Sequence, residues 1–267
     1  MLRNAARAKD WRAAGAQPLI ADLDNRQSLD RIAGLADVVL HLAPPPNQGA
    51  VDPRTRHLLA ALGKSKSLPR RLIYVSTTGV YGDCAGMQID ETRRLNAESP
   101  RAARRIDAEQ TLRAWGCRNR VTVSILRAPG IYAADRLPLE RLEKGLPALQ
   151  AADDVFTNHI HAEDLAAACI AAMRHGQANR AYNVVDDSDL KMGDYFDQVA
   201  DAFGLAHPPR LTRAAAAAAL SPMQMSFMRE SRRIANRRIK QELKMRLAFP
   251  SVTDGIADAV KGHAVCS

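Results

Sequence analysis

The chain has 267 residues, of which 46% are hydrophobic and 25% are charged, and its formal net charge is +9 at pH 7. This length can bury a full core as one large α/β domain or as one domain plus a lobe. No apolar run reaches the ~18 residues that a transmembrane helix needs, and the basic N-terminus lacks the apolar core of a secretion signal. We therefore expect a cytoplasmic protein that does not enter a membrane.

The cysteines stand far apart in the sequence, at Cys84, Cys117, Cys169 and Cys266. No pair has CxxC or zinc-ligand spacing, which argues against a metal site and against a disulfide framework. This usage fits the reducing cytoplasm.

Part of the positive charge is concentrated late in the chain. The residues concerned are Arg229, Arg232, Arg233, Arg237, Arg238 and Lys240. Three interpretations stay open: a nucleic-acid surface, a site for an anionic ligand, or a solvated helix face. Because the cluster lacks interleaved aromatic residues and any recognised nucleic-acid motif, we expect no nucleic-acid partner.

The first half of the chain alternates helices with short apolar segments. The predicted helices cover residues 4–15, 28–35, 53–63 and 99–115, the last ending around Gly116, and the predicted strands cover 18–24, 37–43, 71–76 and 121–127. Continuous apolar runs such as 37–43 are typical of parallel strands that are buried on both faces. The alternation predicts a right-handed, doubly wound parallel sheet.

The second half has a more mixed pattern. The predicted helices cover residues 137–144, 164–173, 192–203 and the alanine-rich run 214–219, with a basic helix or helix pair over 223–243 and a strand over 181–185. This pattern predicts a smaller lobe that follows the sheet-forming half of the chain.

The run from Arg71 to Asp83 carries the most information about function. A β-rich apolar segment ends in Ser76, Thr77 and Thr78, and a Tyr-Gly turn follows. A parallel sheet delivers such hydroxyls to its carboxyl edge, where α/β folds bind their ligands. A polar turn that caps a strand would have the same pattern. The run resembles strand five of the extended short-chain dehydrogenase/reductases, the NAD(P)-dependent epimerase/dehydratase family.

The resemblance extends over nearly the whole chain and implies a set of ligand-binding residues. In this family the hydroxyl four residues before the tyrosine bonds the substrate's reacting oxygen, which implies a catalytic role for Thr77. The implied cofactor contacts are Arg3, Asp22, Leu23, Leu42, Ala43, Pro44, Ser76, Arg127 and Gly130, and the implied substrate contacts are Thr78, Tyr81, Tyr132, Arg136 and Asn158. Arg3 stands where a basic residue meets the 2′-phosphate of NADP, so NADP is preferred to NAD.

The family's catalytic Tyr-x-x-x-Lys pair is replaced in this chain. Alignment on Glu109 puts Arg105 at the lysine position and Arg101 at the tyrosine position. Arg105 retains the positive charge, whereas Arg101 cannot exchange a proton as a phenol does. We therefore expect Arg101 to be non-functional and the proton relay to be broken. Tyr81 and Tyr132 are the other phenols near these segments, and both are expected to contact substrate.

The sequence contains no GxxGxxG turn of the kind that cradles a dinucleotide pyrophosphate. The sequence resembles the family only from the point that follows the family's second strand. We therefore expect an incomplete first βαβ unit and weak or absent dinucleotide binding. The segment 18–23 must then pair directly with 37–43 or lie apart from it.

The predicted fold is an α/β, Rossmann-like, doubly wound parallel sheet with an incomplete first βαβ unit and a small mixed C-terminal substrate lobe. Residues 1–135 would form the dinucleotide-binding core, and residues 136–267 mainly the lobe, with segments near 155–185 returning to the core. The resemblance implies an NAD(P)-dependent oxidoreductase or epimerase that acts on a sugar-like or nucleotide-linked small molecule, impaired in this chain. The alternative is a non-catalytic member that binds a dinucleotide or a partner. A homodimer is possible.

Overall fold

The computed structural model describes residues 1–266, and the side chains of residues 1–262. The strands are β1 (Val38–His41), β2 (Arg71–Thr77), β3 (Gln88–Ile89), β4 (Thr122–Ala128), β5 (Gly130–Tyr132), β6 (Ala148–Leu149), β7 (Phe156–Thr157), β8 (His159–His161), β9 (Arg180–Asn183), β10 (Leu190–Lys191), β11 (Arg210–Leu211) and β12 (Arg233–Ile234). The α-helices are α1 (Ala8–Ala13), α2 (Pro53–Leu62), α3 (Pro100–Asn119), α4 (Leu139–Glu143), α5 (Ala162–His175), α6 (Met192–Phe203), α7 (Arg213–Ala219), α8 (Pro222–Phe227), α9 (Arg237–Gln241) and α10 (Val252–Cys266). Short 3₁₀ helices cover Ala5–Arg7, Arg26–Ile32, Thr78–Tyr81 and Ala134–Arg136.

The main sheet has four strands in the order β1-β2-β4-β9. Strands β1 and β2 run parallel, with Val38 opposite Arg71 and His41 opposite Tyr74. Helices occupy the crossovers between these strands, since α2 separates β1 from β2 and α3 separates β2 from β4. A parallel sheet with helical crossovers is the architecture that the alternating pattern predicts.

The chain folds into two compact units. The first unit comprises residues 1–75, 99–125 and 176–180, and the second comprises residues 76–98, 126–175 and those from Ala181 onward. The predicted division into residues 1–135 and 136–267 stays a prediction about functional domains.

In the first unit, helix α3 is longer than expected. It continues through Gly116 to Asn119 and ends at Arg120, which adopts a left-handed backbone with φ 55°. Gly116 does not end the helix, and its role is in packing. A Cβ on Gly116 would lie 2.6 Å from Cγ2 of Val123. The small residue lets the helix lie close to β4.

The predicted strand at 18–24 is not part of the main sheet. Its one described pairing is a parallel bridge between Leu2 and Ile20, so of the two alternatives the segment lies apart from 37–43. Asp22 is instead held by Ser28, whose hydroxyl accepts from the Asp22 backbone N–H at 2.8 Å. Ser28 belongs to the 3₁₀ helix Arg26–Ile32, where a helix over 28–35 was predicted.

The second unit has its own hydrophobic core, to which α6 and α10 contribute their apolar faces. Its buried members include Tyr132, Phe196, Val199, Val252 and Ile256. Gly255 allows α10 to approach Tyr132, because a Cβ at this position would lie 2.4 Å from the Tyr132 ring.

Of the two alternatives predicted for residues 223–243, the single basic helix is wrong, and the segment contains a pair of helices. Two short helices, α8 and α9, are separated by strand β12 in this segment. The cations do not form one solvated face, because four of them bind acidic side chains. These ion pairs are Arg232–Glu230, Arg233–Asp189, Arg238–Glu91 and Lys240–Asp187. Composition alone could not identify these partners, since three of them come from distant parts of the chain.

Candidate functional site

Helix α2 connects the two loops of the first unit that were predicted to contact the cofactor. The Arg54 guanidinium binds the Asp24 carboxylate and donates to the Pro44 carbonyl at 3.0 Å. The next turn contributes His57, whose Nδ1 lies 2.7 Å from the Leu23 carbonyl oxygen. The Arg54 hydrogen bond lowers the pKa of Asp24. Neither Arg54 nor His57 was predicted, because nothing in a helix sequence shows which loop its side chains reach.

The remaining predicted cofactor residues of this unit differ in accessibility. Leu42 is 57% exposed, Arg3 and Pro44 are exposed, and Ala43 is half-buried. Leu23 is buried, so it offers a ligand its backbone rather than its side chain. An open apolar side chain together with an exposed guanidinium suits a ligand that has both an aromatic base and a phosphate.

A buried polar chain runs from the start of α2 to strand β1. Asp52 caps α2 and accepts from the Thr55 hydroxyl at 2.6 Å, and Thr55 Oγ1 lies 2.9 Å from His41 Nε2. Burial, with a smaller contribution from the Arg105 cation, lowers the pKa of His41 to about 4. The imidazole is therefore neutral near pH 7, and it packs 5.1 Å from the Tyr74 ring.

Arg105, which was predicted to stand at the family's lysine position, is held against strand β2. Its Nη1 donates to the Tyr74 hydroxyl and to the Val75 carbonyl, both at 2.9 Å. Burial outweighs the Arg105 cation and raises the pKa of Tyr74 to about 12, so this phenol stays protonated. Arg101 lies exposed in the first turn of α3, four residues before Arg105.

In the second unit, the hydroxyl run forms a tight turn. Thr77 ends β2 and caps the following 3₁₀ helix, since its Oγ1 accepts from the Gly79 N–H at 3.2 Å. Ser76 and Thr78 are buried, whereas Thr77 is half-buried. Of the three hydroxyls, Thr77 is thus the one that retains some access to solvent.

Tyr81 and Arg127 are brought together directly. The buried Tyr81 hydroxyl accepts from Arg127 Nη1 at 2.8 Å and donates to Asn183 Oδ1 at 2.7 Å. The Arg127 guanidinium carbon also lies 5.0 Å from the centre of the Tyr81 ring. Asn183 was not predicted, although a polar residue inside the apolar run 181–185 is a signal that could have identified it.

Strand β5 brings Gly130 beside the segment that contains Asn158. The Gly130 N–H donates to the Asn158 carbonyl at 3.3 Å, and β5 pairs in parallel with β8. The Asn158 side chain binds the chain near β12: Nδ2 donates to the Arg232 carbonyl at 2.9 Å, and Oδ1 accepts from the Ile234 N–H at 3.1 Å. These bonds use one donor and one acceptor of the amide that was expected to contact substrate.

Tyr132 and Arg136 lie in different environments. Tyr132 is buried, donates to the Ser251 carbonyl at 3.2 Å, and packs edge-on against both His159 and His161. Burial raises the pKa of the Tyr132 phenol far above its usual range. Arg136 is exposed in a 3₁₀ turn and is therefore accessible to an anion.

No group of acidic, histidine or cysteine side chains suited to a metal ion occurs in the described part of the chain. Cys84, Cys117 and Cys169 are free thiols, and the side chain of Cys266 lies outside the described residues. None of the described helices combines the length and apolar character that a bilayer crossing needs.

Residues 2–185 match the model of the NAD dependent epimerase/dehydratase family. The chain belongs to this family. The predicted family is thereby confirmed, and NADP or NAD is confirmed as the cofactor type of the family.

A curated relative is the GDP-6-deoxy-D-mannose reductase of Pseudomonas aeruginosa, which is 27% identical over 162 residues. The alignment covers 55% of this chain, and the chain spans about half (53%) of the length of that relative.

Solved structures support the Rossmann-like fold class. A functionally unknown conserved protein from Silicibacter pomeroyi is 29% identical, with a TM-score of 0.75 over 98% of this chain and 88% of that one. The RMD protein of Pseudomonas aeruginosa, solved with NADPH, has a TM-score of 0.72 at 19% identity over 96% of this chain and 94% of that one. At this identity, the similarity to the RMD protein shows the fold alone.

Proposed function

We propose that the chain is an NAD(P)-dependent oxidoreductase or epimerase-like protein for a sugar-like or nucleotide-linked substrate, with impaired proton transfer. The name of the curated reductase, a GDP-linked deoxysugar enzyme, supports this substrate class. In this proposal, Thr77 receives the reacting oxygen of the substrate, and Thr78, Tyr81, Tyr132, Arg136 and Asn158 are the further residues of the substrate site.

The observation that carries the proposal is the arrangement of arginines on α3. Arg105 is anchored to Tyr74 and Val75, so the positive charge at the lysine position is retained in a defined place. Arg101, one turn earlier, is a permanent cation that cannot give up a proton near neutral pH. The cation of the lysine position is therefore retained in Arg105, whereas the phenol that would exchange a proton is replaced by Arg101.

Neither of the other candidate phenols takes over this role. Tyr81 and Tyr132 are each less than 3% exposed, and each already donates its proton to a protein oxygen. A general acid must reach the reacting oxygen within hydrogen-bond distance, directly or through one water.

NAD(P) supplies and accepts hydride when it is bound. In the first unit, the residues proposed to contact it are Arg3, Asp22, Leu23, Leu42, Ala43 and Pro44. In the second unit, the proposed contacts are Ser76, Arg127 and Gly130. The exposed Arg3 favours NADP, because a guanidinium matches the geometry of a phosphate monoester. The work of these residues is to bind and orient the cofactor.

The test measures NADPH formed from GDP-6-deoxy-D-mannose and NADP⁺. We expect slow turnover by the natural sequence, and a rise of about 100-fold in Arg101→Tyr/Arg105→Lys, since a positioned acid/base contributes that much. Thr77→Val in this background should abolish the gain, while Arg94→Gln, at an exposed position outside the proposed contacts, should keep it. Fast turnover by the natural sequence that survives Thr77→Val would contradict the proposal.

A second candidate is a non-catalytic member that binds a dinucleotide. The loss of an accessible phenol favours it. Fluorescence titration with NADPH separates the two candidates: binding without turnover, even in the double variant, would identify the non-catalytic protein.

A further inference from the structure

The second unit contains a cavity of about 430 Å³ that is distinct from the candidate substrate residues. One wall is the segment 88–93, and the other consists of Ala235, Arg237 and Arg238. The two walls are connected by the parallel pairing of β3 with β12, in which Arg233 lies opposite Gln88. None of the proposed substrate contacts lines this cavity. Its volume lies in the range that binds small molecules.

The acidic side chains in the cavity are already engaged with the protein. The Glu91 carboxylate, whose side chain is only 3% exposed, accepts from the Asn183 N–H at 2.9 Å and lies 3.4 Å from Arg238 Nε. Arg238 also donates to the Ala181 carbonyl at 3.1 Å. The Asp90 carboxylate accepts from both the N–H and the hydroxyl of Thr92. These contacts hold both carboxylates in place: Arg238 compensates the charge of Glu91, whereas Asp90 receives only neutral donors and stays negatively charged.

Two cations in the same cavity are not engaged. Arg93 and Arg237 are exposed, and in the part of the chain that the structure describes neither guanidinium takes part in a hydrogen bond or an ion pair. Three arginines against two carboxylates give the lining a net charge of one positive unit: Arg238 pairs with Glu91, and the charges of Arg93 and Arg237 together exceed that of Asp90. Guanidinium groups present a fork of N–H donors that matches phosphate oxygens.

We propose that this cavity binds a small anion bearing a phosphate group, with Arg93 and Arg237 receiving its oxygens. Glu91 and Arg238, which pair with each other, line the same cavity. Because no proposed substrate residue lines the cavity, this binding can be measured separately from the proposed catalysis. Free phosphate and a sugar phosphate share the required chemistry.

The experiment is isothermal titration calorimetry with inorganic phosphate and, separately, ribose 5-phosphate at physiological ionic strength. We expect saturable binding of at least one of them, about tenfold weaker or more in Arg93→Gln/Arg237→Gln, since charge-assisted hydrogen bonds are lost. The tighter of the two probes identifies the source of the phosphate. Both positions are exposed, so circular dichroism should show an unchanged fold.

Arg94→Gln is the matched control, because Arg94 is an exposed neighbour that does not line the cavity. It should bind like the natural sequence. No heat from either probe, equal binding by the double variant, or an equal loss in Arg94→Gln would each overturn the proposal. The reductase assay is a separate measurement, so failure of this site and failure of the proposed function are distinguishable.

Discussion

The phenol of Tyr81 lies at the centre of a buried hydrogen-bond network in the second unit. It accepts from Arg127 and donates to Asn183, and Asn183 in turn donates its backbone N–H to Glu91. Buried polar groups of this kind stabilise a fold only when their partners are present. The hydroxyl of Tyr81 therefore maintains the arrangement of the strand ends rather than exchanging a proton with substrate.

Tyr81→Phe should destabilise the protein by about 1–3 kcal/mol, because a buried donor on Arg127 and a buried acceptor on Asn183 lose a partner. Urea unfolding measures the change. Tyr195→Phe is the control, since that buried phenol has no described hydrogen bond, and its change should be small. Equal effects of the two variants would show that the network contributes nothing specific.

For single residues, the sequence was a better guide to which side chains lie close together than to the role of each side chain. Tyr81 and Arg127 were both predicted to lie at the site, and they are in direct contact. The hydrogen bonds of the Asn158 side chain to the segment 232–234 were not predictable, because its partners are backbone groups more than seventy residues away.

Among the elements, α6 shows what a local pattern can determine. Residues 192–203 were predicted as a helix, and the helix spans Met192–Phe203. Its apolar residues recur at helical spacing, and Gly204 takes the left-handed conformation, φ 65°, that ends it. Every one of these signals is local, so no knowledge of the tertiary structure was needed.

Gly116→Ala tests the close approach of α3 to β4. The added Cβ would lie 2.6 Å from Val123 Cγ2 and 3.0 Å from the Val121 carbonyl oxygen, so we expect a net loss of about 1–3 kcal/mol. Alanine's better helix propensity offsets only about 1 kcal/mol of the strain. The measurement is the free energy of unfolding in urea.

Gly262→Ala is the matched control for this substitution. Gly262 is also helical, and among the described residues no atom outside its chain neighbours and its own helix backbone lies within 4 Å of its Cβ position, so alanine should stabilise the protein or leave it unchanged. A stabilising effect at Gly116 as well would mean that the helix and the strand separate without cost.

The stability of the whole molecule depends on pH through two neighbouring groups, whose pKa values burial shifts in opposite directions. Burial lowers the pKa of His159 to about 4 and raises that of Asp186 to about 7. The folded state therefore resists protonation of His159 as the pH falls from about 6.5 to about 4, which lowers stability in that window. It also retains a proton on Asp186 that the unfolded chain releases above about pH 4, so stability falls as the pH rises towards 7.

Asp186→Asn should remove the second effect. We expect the variant to be more stable than the natural sequence by about 2–4 kcal/mol above pH 7, with the difference vanishing near pH 4. Thermal unfolding across this range measures it. Asp258→Asn, at an exposed helical position, should change stability little at any pH. A pH-independent gain for Asp186→Asn would contradict the titration argument.

Local patterns in the sequence by themselves determined the alternation of helices and strands that forms the main sheet, and the family; they also predict that Arg101 and Arg105 stand at the family's Tyr and Lys positions. Those features depend on residues near one another in the chain or on motifs of fixed spacing. Only the tertiary structure decided that 18–24 leaves the main sheet, that four of the late basic residues form ion pairs, and that Tyr81 and Tyr132 donate their protons to protein oxygens. Each of these depends on partners from distant parts of the chain, because burial and hydrogen bonding are properties of three-dimensional neighbours.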